Sequence, residues 1–371
     1  MALAYFANDT ATQLPIFDAH EELLGCLLAV IAQAPPQTTW QESERHGLYS
    51  GPVSYAYLFM RVSESHPTLS VQSKLAREWA AAYLADLQSI GDVGPNNCGI
   101  LNEELSFCAV SAIHTRDLAF VTRMIEHIQQ ASFDRTGSNE WAVGRAGTLY
   151  LLRLVRTSLP ESETLVIPVI KRLVEFTLEV GPDWMFRDTR ILGAGHGDIG
   201  ILTQILLCDS SYAAQLRPKL LELLDWQNAE GNWPHNEGAD SKLLVQFCHG
   251  APGFVISLLA IRHVFPDLEE RIDVAVEKAR ALIWTKGLLR KVPNLCHGIA
   301  GNALALTPGD QRDRFLAHCT QEYIEKGTKD GLWAAADYGV PCSLGFGTAG
   351  LAWAWMTRHD ARGTYITFND V

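Results

Sequence analysis

A glycine-centred bend recurs seven times along this chain, and that recurrence limits the possible fold more than any other feature. The bends lie at Gly51, Gly99, Gly144, Gly197, Gly250, Gly298 and Gly347, at successive spacings of 48, 45, 53, 53, 48 and 49 residues. Five carry a complete G-x-x-G, whereas the first has Ser54 and the second Asn102 at the later position. A period near 50 residues repeated from end to end is the signature of a repeat architecture. One such unit cannot bury its apolar face alone, so the units must stack.

Each bend is followed by an apolar stretch of helical length, such as ILTQILL after Gly197 or FVISLLAIRHVF after Gly250. Amphipathic stretches separate the bends. Ile272, Val276, Ala279 and Ile283 recur at spacings of four, three and four, which is one face of a helix. A helix apolar nearly all round belongs inside and an amphipathic one outside. Seven such pairs form either an open solenoid or a closed double ring. No terminal repeat shows a polar capping face, which favours closure. The expectation is an all-α, α/α toroid of seven inner and seven outer helices, a single domain over residues 1–371. Closure gathers the bends at one end, at the inner-helix N-termini, where backbone N–H groups suit anions and thiolates.

Composition narrows the function. With 371 residues, 47% hydrophobic, the chain can bury a large core. A net charge of −12 argues against nucleic acid as a partner, because phosphate contacts need a basic face. No signal peptide opens the chain. The stretch 243–261 is free of Asp, Glu, Lys and Arg, but holds Gln246, His249, Gly250, Pro252 and Gly253, a poor interior for a membrane span. A cytoplasmic protein without an integral membrane segment is expected.

Six of the eight cysteines (Cys26, Cys98, Cys108, Cys208, Cys319 and Cys342) sit singly in apolar surroundings and read as small buried hydrophobes. Cys248 and Cys296 differ, because each opens a Cys-His-Gly-x-x-Gly bend in matching repeat register. Two cysteines and a histidine from neighbouring repeats are ligands that zinc prefers, and Cys₂His with an open fourth position is the catalytic pattern. The favoured set is Cys248, Cys296 and His297, with His249 in a supporting bond. A closed structural site would use His249 as a fourth ligand, and periodicity does not decide between the two.

These motifs resemble the lanthionine synthetase C-like family, relatives of the cyclases that build thioether rings in lanthipeptides. The resemblance covers nearly the whole chain. Its most specific parts are GHGDIG at 195–200, GNWPHN at 231–236 followed by LLVQFCHGAPG at 243–253, and LCHGIAGNALAL at 295–306. The segment GRAGTLYLLRLV at 144–155 resembles the eukaryotic branch. The resemblance implies an α/α toroid and zinc ligands at Cys248, Cys296 and His297. It implies an active-site histidine at His196 and a functional lysine at Lys291. It also implies glutathione binding and thioether formation with dehydroalanine or dehydrobutyrine residues of peptides or proteins. Two positions depart from the family. Glu140 stands where the bacterial cyclases carry Asp, and Gly345-Phe346-Gly347 replaces the eukaryotic Phe-Glu-Gly, which removes a carboxylate.

The chemistry expected is addition of a zinc-activated thiol to a dehydroamino acid. The addition makes an enolate that needs charge stabilisation and then a proton. His196, with a reference pKa of about 6.5, suits the proton transfer. Lys291 stabilises the enolate or pairs with a glutathione carboxylate. Arg145, inside its bend, is a further candidate for substrate binding, and Asp198 reads as a helix cap. The alternative is a zinc-containing glutathione-binding adaptor without turnover. A glycosidase needs two carboxylates flanking the scissile bond, and the bends mostly lack them.

Overall fold

The computed structural model describes residues 4–11, 16–85, 87, 91–181, 183–238, 244–333 and 341–371. Among the described residues, seven helices surround a central bore: α2 (Pro52–Ser65), α4 (Glu103–Thr115), α6 (Arg145–Ser158), α8 (Asp198–Cys208), α10 (Ala251–Ile261), α12 (Ile299–Ala305) and α15 (Thr348–Met356). Each packs on the next, and α15 packs back on α2, so the ring is closed. Outside them, α3 (Ala76–Leu84) covers α2, α5 (Leu118–Ala131) covers α4 and α7 (Glu163–Glu179) covers α6. In the same way α9 (Ala213–Asp225) covers α8, α11 (Glu269–Lys286) covers α10 and α13 (Asp310–Leu316) covers α12. The repeat pattern leads one to expect the seventh outer helix after the seventh bend. The structure instead uses α1 (Ala19–Gln33), which packs on α15. A further helix, α14 (Gln321–Lys329), lies against α1. No helix among the described residues is long and apolar enough to cross a membrane.

Burial follows the two kinds of helix. Every residue of α12 is buried, as is α6 from Arg145 through Val155. The outer helix α5 buries only Val121, Met124, Ile128 and Ala131, a single face. In α11 the periodic residues Ile272, Val276, Ala279 and Ile283 all turn into the core.

The bends explain the glycine spacing. The first glycine of the motif is the N-cap of six inner helices: Gly51, Gly144, Gly197, Gly250, Gly298 and Gly347. The later glycine sits where the incoming chain doubles back under the first helical turn. At Gly301 a Cβ would lie 1.9 Å from the Leu295 carbonyl oxygen. In the second repeat, where Asn102 replaces that glycine, α4 starts later, and the Asn102 side chain accepts from the Leu105 N–H at 2.8 Å.

Residues 364–371 enter the bore. The Trp141 indole donates to the Thr367 carbonyl at 2.8 Å. Arg153 of α6 and Gln204 of α8 donate to the Phe368 carbonyl at 2.7 and 2.9 Å. Tyr57 and Tyr150 donate to the Asp370 carboxylate at 2.6 and 3.0 Å. The Tyr365 ring stacks on Phe247 with centroids 3.6 Å apart. The chain after α15 is therefore inside the ring, which is why the seventh outer position falls to α1. Because Phe368 is fully buried among the inner helices, Phe368→Ala is expected to lower stability by about 3–5 kcal/mol. A reduced denaturation midpoint checks this, and an unchanged midpoint would mean that the segment is not part of the core.

Candidate metal and catalytic site

At the bend end of the ring a cavity of about 1350 Å³ opens, and Cys248, Cys296, His297, His196 and Lys291 all line it. The Cys248 N–H donates to the Cys296 carbonyl at 3.1 Å, which sets the fifth and sixth bends side by side. The two sulfurs and a ring nitrogen of His297 lie within 4.8 Å of one another, and all three residues are buried. Among the described residues this is the one group of His, Cys, Asp and Glu donors close enough to hold a metal ion. His297 is anchored through its backbone, whose N–H donates to Asn294 Oδ1 at 2.9 Å.

The two thiols are not equivalent. A hydrogen bond from Cys296 draws Cys248 well below the ordinary thiol range, and burial, which opposes this, is outweighed with help from His297 and His249. Cys296 moves upward, because it keeps the shared proton beside that charge and is itself buried. His249 lies outside the donor group. Its ring neighbours His235 and His196, with centroids 4.2 and 5.8 Å away. Burial, aided by the other histidines and opposed by Cys248, lowers its pKa to about 4.

His196 Nδ1 is 2.7 Å from Glu140 Oε2. Glu140 is buried, and its carboxylate also accepts from the backbone N–H groups of Ala142, at 2.8 Å, and Val143. A carboxylate with these donors is an acceptor, so His196 carries its proton on Nδ1 and leaves Nε2 as the basic nitrogen. Burial depresses the His196 pKa, but the hydrogen bond and charge of Glu140 prevail and raise it. The short hairpin of β1 (Ser70–Val71) and β2 (Lys74–Leu75) lies elsewhere, whereas that of β3 (Met185–Phe186) and β4 (Thr189–Arg190) reaches this cavity. It stacks Phe186 parallel to the His196 ring at 4.8 Å.

Lys291 donates to Gln246 Oε1 at 3.2 Å, and Gln246 Nε2 donates to the Cys248 sulfur at 3.2 Å. Sequence reasoning missed both Gln246 and the pairing role of Glu140. Gln246 lies two residues before Cys248, close enough for its amide to reach the sulfur. Glu140 lies 56 residues before His196, so its role is visible only once the ring is closed. Phe346, where a carboxylate was expected from the resemblance, packs against His297 and Tyr49 at 4.8 Å from each.

Arg145, expected to bind substrate, is not among the residues that line the cavity. It is fully buried. Its guanidinium donates to the carbonyls of Ser132 at 2.6 Å, Gly137 at 2.8 Å and Asp134, and to Asn139 Oδ1 at 2.6 Å. Those bonds tie down the loop before its own helix. Asp198 makes no cap. It is a buried partner of Arg190 at 2.8 Å and Lys219 at 3.4 Å.

The family model described as lanthionine synthetase C-like protein matches residues 42–311. The chain is 36% identical over 126 residues to LanC-like protein GCL1 of Arabidopsis thaliana, a stretch covering 33% of this chain and 28% of that protein. It is 28% identical over 187 residues to Glutathione S-transferase LANCL1 of Danio rerio, covering 44% of this chain and 45% of that one. These matches thus span less than half the length of either curated relative. The solved structure of nisin cyclase is similar with a TM-score of 0.57 and 14% identity, covering 93% of this chain and 97% of that one. At that identity the likeness speaks for the helical toroid alone.

Glu140→Gln removes the charge that raises His196 and leaves burial, the largest influence, opposed only by the smaller effect of Cys248. The His196 pKa is then expected to fall below its ordinary value of about 6.5. Titration of the ring protons by NMR checks the sign, and a pKa that stays raised would mean that Glu140 is not its cause.

Proposed function

Because the chain belongs to the lanthionine synthetase C-like family, we propose that it is a zinc-dependent enzyme that adds a thiol, glutathione, to dehydroalanine or dehydrobutyrine residues of a peptide. The observation that carries this reading is the buried Cys248–Cys296–His297 group. It shares one cavity with the His196–Glu140 pair and Lys291. Two thiols and an imidazole fit zinc by donor type, and three protein ligands leave a coordination position for substrate. When bound there, zinc supplies a Lewis acid that lowers the pKa of an entering thiol from about 8.5 and keeps it ionised at neutral pH.

The chain's own groups do the rest. The cavity admits a thiol and an acceptor peptide together, and the burial of Cys248 and Cys296 keeps bulk water from their sulfurs. Attack of the substrate sulfur on the β-carbon forms the C–S bond and moves the double-bond electron pair toward the α-carbon and carbonyl. His196, protonated on both nitrogens before the step, delivers the Nε2 proton to the α-carbon. Glu140 holds Nδ1 and stabilises the charged ring. Lys291 supplies positive charge to the enolate oxygen or to a glutathione carboxylate. The name of the Danio rerio relative supports glutathione as the thiol. Phe346, in place of a carboxylate, favours one second reading, an adaptor that binds glutathione without turnover.

Protein purified without chelator is expected to hold about one zinc per chain. Cys296→Ala is expected to lose it while keeping the helical circular dichroism, since the apolar core does not depend on metal. Metal analysis and far-UV spectra check both, and an unfolded variant would make the zinc structural.

His196→Ala is expected to keep zinc and bind glutathione but add it to a dehydroalanine peptide about 10²–10⁴-fold more slowly. Calorimetry and a turnover assay separate the two properties. Binding without turnover in the unmodified protein would favour the adaptor.

A further inference from the structure

The mechanism leaves one polar side chain beside the Cys248 sulfur unexplained. Gln246 is buried, and its amide could be placed either way round unless a neighbour fixes it. Lys291 is that neighbour. An ammonium only donates, so the oxygen of Gln246 faces Lys291 at 3.2 Å, and the amide nitrogen must face the Cys248 sulfur, also at 3.2 Å. On the other side, Tyr49 lines the same cavity as Cys296.

Tyr49 reaches that position because residue 345 is glycine. The Gly345 N–H donates to the Tyr49 carbonyl at 3.1 Å, and the Cys296 N–H donates to the Gly345 carbonyl at 3.0 Å. A Cβ on Gly345 would stand 2.2 Å from Cζ of the Tyr49 ring. Phe346 then packs against the ring from the side, with centroids 4.8 Å apart. The departure from Phe-Glu-Gly thus removes a carboxylate and opens the space that the Tyr49 ring fills.

We propose that Gln246 is a positioning residue of the metal centre, donating a hydrogen bond to the Cys248 sulfur, and that Lys291 acts on that centre through Gln246. This rests on the metal site proposed above. A donor aimed at a metal-bound sulfur withdraws electron density from it, as charge-assisted hydrogen bonds do. Outer contacts of this kind orient ligands and tune the metal. Two thiolates would otherwise leave the ion weakly electrophilic, and the Gln246 donor restores part of its pull on an incoming thiol. Lys291 consequently has an effect at the metal that does not require substrate.

Cobalt(II) bound to the full-length protein provides the test, since its sulfur-to-metal charge-transfer absorption reports the electron density on the thiolates without any turnover. Gln246→Leu is expected to shift that band to longer wavelength. Gln246→Glu, which keeps the side-chain shape and the Lys291 contact but offers the sulfur no N–H, is expected to do the same and covers a failure of the leucine variant to fold. Lys291→Met is expected to shift the band in the same direction, and to add little when combined with Gln246→Leu, because the two act in series. An unmoved band in both Gln246 variants, or a Lys291→Met shift that adds in full, overturns the assignment while leaving the metal site standing. Wild-type protein that takes up no cobalt overturns the metal site itself, and this assignment with it.

Discussion

Backbone hydrogen bonds that run from bend to bend close the toroid at the end where the cavity opens. The Gly195 N–H donates to Cys248 at 3.2 Å, Cys248 to Cys296 at 3.1 Å, Cys296 to Gly345 at 3.0 Å and Gly345 to Tyr49 at 3.1 Å. On the other side, the Leu48 N–H donates to Ile100 at 2.9 Å and the Cys98 N–H to Val143 at 2.8 Å. Between the third and fourth bends the link is the Glu140–His196 pair. Buried N–H groups without acceptors would each cost about 1–3 kcal/mol, so neighbouring bends have little freedom to slide. The spacings between bends vary from 45 to 53 residues, and the outer helices and loops absorb that variation.

The inner ring has polar residues where an apolar helix needs none. Arg153 and Gln204 are buried and would be destabilising if left unpaired. Both donate to a single carbonyl, that of Phe368 in the segment that fills the bore, and Arg153 also donates to the Gln204 side chain at 3.0 Å. The same segment brings Tyr365 against Phe247, next to Cys248 in sequence. Both rings pack against Trp141, which does line the cavity; apolar rings there lower the local dielectric and strengthen charge interactions beside them.

Charged residues at the starts of the inner helices meet two fates. Arg145 is saturated by nearby carbonyls, and Asp198 is paired with two cations. Both serve the fold. His196 and Lys291 lie on the chain just before an inner helix rather than within its first turn, and their side chains line the cavity. The difference is one of direction. Side chains in the first turn of a buried helix lean back onto the incoming loop, while those on the bend itself face outward from the ring.

The amino-acid sequence alone carried the architecture, because glycine spacing and helical periodicity are local signals that survive without knowledge of contacts. The recurrence of seven bends implied seven inner helices, and the shared register of Cys248 and Cys296 placed them on adjacent bends. Other features depend on residues far apart in the chain, and no local pattern encodes them. The pairing of Glu140 with His196, the use of α1 as the seventh outer helix and the filling of the bore by residues 364–371 are of this kind. The surroundings of Arg145 were equally hidden, since a guanidinium beside a glycine bend looks the same whether it faces a ligand or the carbonyls of its own loop. Ring closure makes the difference: it turns sequence separations of 50 or 300 residues into hydrogen-bond distances.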